Sequence, residues 1–342
     1  MAKVAHANPI PDKPPLHLKG GYLAVAPPGD LVEACLATPA VRALRNGRPN
    51  ATIVLAAPES SAPLWDYLPR LNKVVTFPDK TSPSEIARRL KATGIEFESA
   101  LAWGESAAAR AFKALRINQR IGYDLGGLGA SLTDPVEPPA PPYGPVPHRV
   151  RHYMHLLERL HIKTFVPENF VTPDLPERPE RPRLAVAPGS DFGPSYRWPL
   201  ERFEEVTRLV MEANAAEVVV VARPGHEREA HELAGRLGGE VDCTAGRLDL
   251  PGLLATLAQC SVVLASDGAV PHLAAHLGIP AAVIFGPGDP GVRRPLGRIH
   301  QILDAHVECS PCRLAKCPLD HRCMNDLPVA TVSAALKEIM LP

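Results

Sequence analysis

Short apolar runs recur along the chain, and between them apolar residues return every three or four positions, the pattern of buried strands alternating with amphipathic helices. Leu23–Ala26, Thr52–Ala56 and Lys73–Phe77 read as strands, and 31–47 and 83–93 as helices. That alternation predicts a parallel sheet. Residues 134–147, DPVEPPAPPYGPVP, hold too much proline for a helix or a central strand, because each ring fixes φ and removes a backbone donor. A helical run from His148 to Leu160 follows, then a second proline-rich stretch from Val166 to Pro182. At Leu184 the alternation restarts: a strand at 184–187, a helix near 200–213, a strand at 217–222, a helix near 227–237, a short segment at Val241 and a helix near 250–259. The expected fold is α/β, two doubly wound Rossmann-like domains facing a cleft. The boundary is expected near residue 178, giving domains 1–178 and 179–342, with the last helix reaching back onto the N-terminal domain.

A chain of 342 residues is long enough for two separate cores. Lys plus Arg and Asp plus Glu both number 37, so the balanced charge argues against nucleic acid as a partner. The opening MAKVAHANPIPDKPPLHLKGG has prolines where a signal peptide needs an apolar core. No run elsewhere approaches the roughly 18 apolar residues of a membrane span, so a cytoplasmic protein is expected.

Five segments carry candidate chemistry. PGDLVEACLATPAVRALR, from Pro28, follows a strand and opens a helix, with Asp30 and Glu33 facing any ligand at its N-terminus. The same two residues also fit a capping box with no catalytic duty. PGSDFGPSYRWPLERF, from Pro188, follows the first strand of the second series. ARPGHE and GRLDL, from Ala222 and Gly246, follow later strands. Finally, CSVVLASDGAVPHLAAHLGIPAAVIFGPGDPG, from Cys260 to Gly291, places two polar, Gly-rich tips at strand ends around a short helix.

In order and spacing these segments resemble the heptosyltransferase family, glycosyltransferase family 9, over residues 21–340. The resemblance implies a GT-B fold and transfer of heptose from ADP-heptose to a lipopolysaccharide sugar hydroxyl, with inversion and no required cofactor. It places Glu33 at the catalytic Asp position, with Asp30 as a second candidate, and Val32 at the preceding Gly. Backbone amides at Ser190 and its neighbouring glycines could approach a diphosphate, and for the donor the resemblance implies Tyr196 at the position of a phosphate-binding Lys with Arg197 beside it, Glu227 at the ribose and Leu248 at the adenine. Asp267 and His272 match the family's Asp-Ser/Thr-Gly-Pro-Met-His motif, while Gly268 and Ala269 depart from it. Gly286, Gly288 and Asp289 fall on its Phe-Gly-Pro-Thr-Asp-Pro, with Gly288 for Thr. Arg42, Arg116 and Arg120 could meet an anionic acceptor such as a lipopolysaccharide core or another glycan, or form solvated faces. The protein would then touch the inner membrane peripherally at most.

The pattern of departures also fits a weakened or inactive relative that binds a nucleotide sugar, a glycan or a protein partner. A dehydrogenase is disfavoured, because no G-x-G-x-x-G follows the first strand. Cys309, Cys312, Cys317 and Cys323 have ligand types suited to a structural zinc or iron, with His321 as an alternative ligand, or are reduced packing cysteines.

Overall fold

The computed structural model describes residues 16–140, 147–175, 177, 181–214 and 216–340. The proline-rich tip 141–146 and most of the connector around 178 lie outside these. Two units emerge, divided between Val171 and Thr172 rather than near 178. Thr172 already packs on the second unit, where its Oγ1 lies 2.8 Å from the place a Cβ on Gly278 would take.

The first unit runs β1 (Tyr22–Ala26), α1 (Leu31–Gly47), β2 (Thr52–Pro58), β3 (Lys73–Phe77), α2 (Pro83–Lys91), β4 (Ser99–Ala102), α3 (Ala107–Ala114), β5 (Gln119–Tyr123), β6 (Asp134–Val136) and α4 (Val150–Glu158). Its sheet is parallel, in the order β3-β2-β1-β4-β5-β6. β6 takes Pro135 into a strand, which is tolerated because β6 is an edge. α1 contains Pro39, which withdraws the amide that would have bonded the Cys35 carbonyl. The hydroxyl of Thr38 donates to that carbonyl at 2.8 Å, so the helix continues through the proline.

The second unit runs β7 (Arg183–Ala187), α5 (Leu200–Asn214), β8 (Glu217–Val220), α6 (Arg228–Leu237), β9 (Asp242–Cys243), α7 (Leu250–Ala258), β10 (Val262–Ser266), α8 (Ala269–Leu277), β11 (Ala281–Ile284), α9 (Pro290–Arg293), β12 (Gln301–Leu303), α10 (Arg322–Asn325) and α11 (Val329–Met340). Its parallel sheet has the order β12-β11-β10-β7-β8-β9. The last helix was expected against the first unit. Instead Val332 and Leu336 of α11 complete the core of the second, with Trp198, Phe203 and Ile284.

In each sheet the strand order reverses once, between β1 and β4 and between β7 and β10. Chains leaving the carboxyl ends of such a pair diverge and open a crevice for a ligand. Those two crevices are where the candidate residues fall.

Candidate functional site

At the β1/β4 reversal, Asp30 caps α1, its Oδ1 accepting from the Glu33 amide at 3.0 Å. This is half of the capping box. The Glu33 carboxylate does not return to the cap but turns to α4, where its Oε2 accepts from Arg149 Nε at 2.9 Å and from the Tyr153 hydroxyl. Its side chain keeps 20% exposure, enough to be reached. Burial, and then the charge of Glu33, hold the Tyr153 phenol well above its usual range, so Tyr153 stays a donor. Trp103, after β4, fixes this helix by donating from Nε1 to the Tyr153 carbonyl at 2.7 Å. Burial pushes His152 down to about 4, which leaves it neutral at physiological pH. Arg149 and Tyr153 were not singled out from the sequence. The basic, aromatic run HRVRHYMH was the available signal, but nothing local ties it to a residue more than a hundred positions earlier.

At the β7/β10 reversal the loop after β7 meets the start of α8. Ser190, buried, donates to the Asp267 carbonyl at 2.6 Å. Asp191 caps α8 from outside, its Oδ2 accepting from the Ala269 amide at 2.6 Å, while Oδ1 takes Arg223. This carboxylate stands at the helix N-terminus, the natural seat for a phosphate. Gly268 permits it, because a Cβ there would lie 2.8 Å from Asp191 Oδ2. What remains beside it is a cavity of about 20 Å3 lined by Ser190, Arg223, His226 and Gly268, among others.

Asp267 is 1% exposed, and neither of its carboxyl oxygens has a hydrogen-bond partner. Burial pushes its pKa up to about 7; Arg293 works against the rise and Asp191 adds to it. Gly288, at the family's Thr position, leaves the space for this carboxyl: a Cβ there would lie 2.3 Å from Asp267 Oδ2 and 3.2 Å from Tyr196 Cε1. Tyr196, at the family's Lys position, is buried, and burial raises its phenol. The departures at 196, 268 and 288 are therefore one repacked site rather than three separate losses.

The other cations here are already engaged. Arg197 pairs with the buried Glu229 at 2.6 Å, and the Arg293 guanidinium stacks 4.0 Å from the Phe192 ring centroid. Glu227 is half-buried, and the Gly225 amide, donating at 2.5 Å, holds its carboxyl below the usual range. Leu248 lies before α7, whose N-cap is Asp249. His272 is buried on α8. Asp289 caps the short α9 and accepts from Arg313 at 2.9 Å.

Several expectations change. A Cβ on Gly286 would lie 2.8 Å from Met324 Cε, so this close approach serves packing against α10 rather than a phosphate. Arg42, Arg116 and Arg120 are not brought to Glu33: Arg42 lies in the distal half of α1, Arg116 precedes β5, and Arg120 at the start of β5 donates to the Ser131 and Ile117 carbonyls. The cysteines gather, since the charges of Cys309, Cys312 and Cys317 add to burial in raising the Cys323 thiol to about 11. Yet among the described residues no group of three or more His, Cys, Asp or Glu side chains is placed to hold a metal ion. His321 Nε2 sits 2.6 Å from the Ser195 carbonyl.

Two doubly wound units, each with its candidate residues at the strand reversal, define the GT-B class of glycosyltransferase fold. The crystal structure of the glycosyl transferase family 9 from Veillonella parvula DSM 2008 matches with a TM-score of 0.81 at 15% identity, covering 95% of this chain and 99% of that one. The structure of Escherichia coli ADP-heptose lps heptosyltransferase II matches at 0.75 and 18% identity, covering 93% and 98%. The model for glycosyltransferase family 9 (heptosyltransferase) matches residues 102–322, and the chain belongs to that family. Lipopolysaccharide heptosyltransferase 2 of Escherichia coli K12 is 27% identical over 128 residues, 36% of this chain and 36% of that protein, so the match spans about a third of this curated relative's length. No described helix is long and apolar enough to cross a membrane.

Proposed function

We propose that the protein is an inverting glycosyltransferase that moves a heptose or related sugar from an ADP-sugar to a glycan hydroxyl, with the lipopolysaccharide core as the favoured acceptor. What supports this is that each unit carries a carboxyl group at its strand reversal, the accessible Glu33 in the first and the buried, unpartnered Asp267 in the second. In the proposed step the acceptor hydroxyl loses its proton to Glu33 as its oxygen attacks the anomeric carbon. The bond from that carbon to the diphosphate oxygen breaks, and the departing ADP keeps the electron pair. Arg223 and Arg293 would exchange their present partners for the diphosphate, charge-assisted contacts worth about 1.5–3 kcal/mol each in a shielded site. Asp267 would accept from a donor hydroxyl when ionised or donate to a phosphate oxygen when protonated.

The donor preference rests on the names of the relatives and on the resemblance of 246–250 to the family's adenine segment. The reaction is proposed to need no cofactor and to occur in the cytoplasm, at most peripherally on the inner membrane. The four thiols, of which only Cys323 is buried, are proposed to remain reduced and free of metal; a full equivalent of zinc or iron in protein purified without metal columns would overturn that.

A second reading, a relative that binds without transferring, is favoured by one observation: Asp191 already occupies the N-terminus of α8. Calorimetric titration with ADP, ADP-heptose, UDP and GDP separates the two when combined with a transfer assay. ADP and ADP-heptose binding with turnover is the expected result. Binding without turnover would establish the second reading, and no binding by any nucleotide would exclude the first.

A further inference from the structure

The distal end of α1 opens into a cavity of about 650 Å3 that holds none of the residues given a role in the proposed transfer. Its volume is in the range of small-ligand sites. Its α1 residues, Arg42 to Gly47, lie about 14–21 Å from Glu33 along the helix axis, at 1.5 Å per residue, so this is not an extension of the Glu33 site. The walls carry four cations, Arg42, Arg45, Arg70 and Lys163, against one carboxylate, Glu168.

Among the described residues the arginines have hydrogen bonds but no ion pair. Arg42 is 8% exposed, donates from Nη1 to the Asn169 carbonyl at 3.2 Å, and has no partner at Nε. Arg45 donates to the Ala51 carbonyl at 2.7 Å and to Asn72 Oδ1 at 3.2 Å. Arg70 donates to Asn46 Oδ1 at 2.7 Å. Every one of these acceptors is neutral. A guanidinium withdrawn from water without a carboxylate partner is costly, and the cost falls when an anion binds. Burial lowers the pKa of Arg42, and burial with the nearby Arg70 charge lowers that of Arg45, as expected of cations gathered without an anion.

Beside the cavity the chain exposes apolar side chains. Phe165 is 46% exposed, Phe170 38% and Val171 51%, and the two rings stack at 6.1 Å. The Arg151 guanidinium lies 5.0 Å from the Phe165 ring centroid. Exposed aromatic residues interleaved with cations suit the boundary between headgroups and acyl chains.

We propose that this cavity binds the phosphate of an anionic phospholipid, seating the first unit on a membrane surface with Phe165, Phe170 and Val171 in its apolar layer. The cations select the phosphate, the rings select the lipid, and the proposal does not depend on the transferase reading. The test is cosedimentation of the full chain with vesicles of phosphatidylcholine alone or mixed with phosphatidylglycerol, read as binding rather than turnover.

Binding to the mixed vesicles only is expected. Arg70→Glu combined with Lys163→Glu should weaken it about thirtyfold or more, the loss expected when two cations near an anionic surface are removed. Both residues lie at the cavity rim, and an unchanged near-ultraviolet circular dichroism spectrum establishes that the variant is folded. Phe165→Asp should weaken binding as well. Equal binding to both vesicle types, binding to neither, an unaffected folded double variant, or capture of inorganic phosphate without vesicle binding would each overturn the proposal.

Discussion

Replacing Glu33 by Gln is expected to lower the transfer rate by ~10²–10⁴-fold, the range for removal of a positioned general base. The amide keeps the size of the side chain and can still accept a hydrogen bond, so the fold and the Arg149 and Tyr153 contacts should survive. What is lost is the capacity to take a proton. ADP affinity should not change, because the proposed donor residues belong to the other unit, and a fall in kcat with unchanged ADP binding is therefore the signature to measure. Glu33→Asp should recover only part of the rate: it shortens the arm by one methylene and pulls the carboxylate away from Arg149 Nε, now 2.9 Å distant. A Gln variant as active as the parent would remove Glu33 from the mechanism. Asp30 is poorly placed to replace it, since its Oδ1 is committed to the cap of α1.

The residues around Glu33 show what a sequence can and cannot disclose. The 31–47 and 73–77 elements are legible to the residue because α1 has a cap, a first-turn acid and a long apolar face, and β3 is rich in β-branched residues. β4, Ser-Ala-Leu-Ala, has no β-branched or aromatic residue and carries no local strand signal. Its place in the sheet comes from its pairing with β1 and β5. The same limit applies to the sites. Asp30 as an N-cap is local chemistry and was legible. The partners of Glu33 come from α4, 116 and 120 positions away, and the cap of α8 comes from a loop 78 positions away. A capping box was the local reading of Asp30 and Glu33, and α4 overrides half of it by offering Glu33 a cation. The departures at 196, 268 and 288 look independent along the chain because nothing in it shows that they surround two carboxyl groups, those of Asp191 and Asp267.

Asp267→Asn is expected to remove a pH-dependent weakness of the second unit. In the unfolded chain this carboxyl titrates near its ordinary 3.8, and in the folded protein burial raises it to about 7. Between those values the native state holds a proton that the unfolded state has released, so stability falls as pH rises, and the full penalty is present above the folded value. At 1.36 kcal/mol per unit the difference is about 4 kcal/mol, of the size expected for a buried carboxyl without partners. The Asn variant has no charge to bury and nearly the same volume, so its stability should be flat across that window. Its gain over the parent should be absent near pH 4 and largest near pH 8. Urea unfolding followed by Trp198 fluorescence, in a background with Trp65 and Trp103 changed to Phe, reports on the second unit alone. Adding ADP should then narrow the gap at pH 8, because a ligand that donates to the ionised carboxyl supplies the partners it lacks. A parent and variant with parallel pH profiles would show that Asp267 is already satisfied in solution and would withdraw it from the donor site.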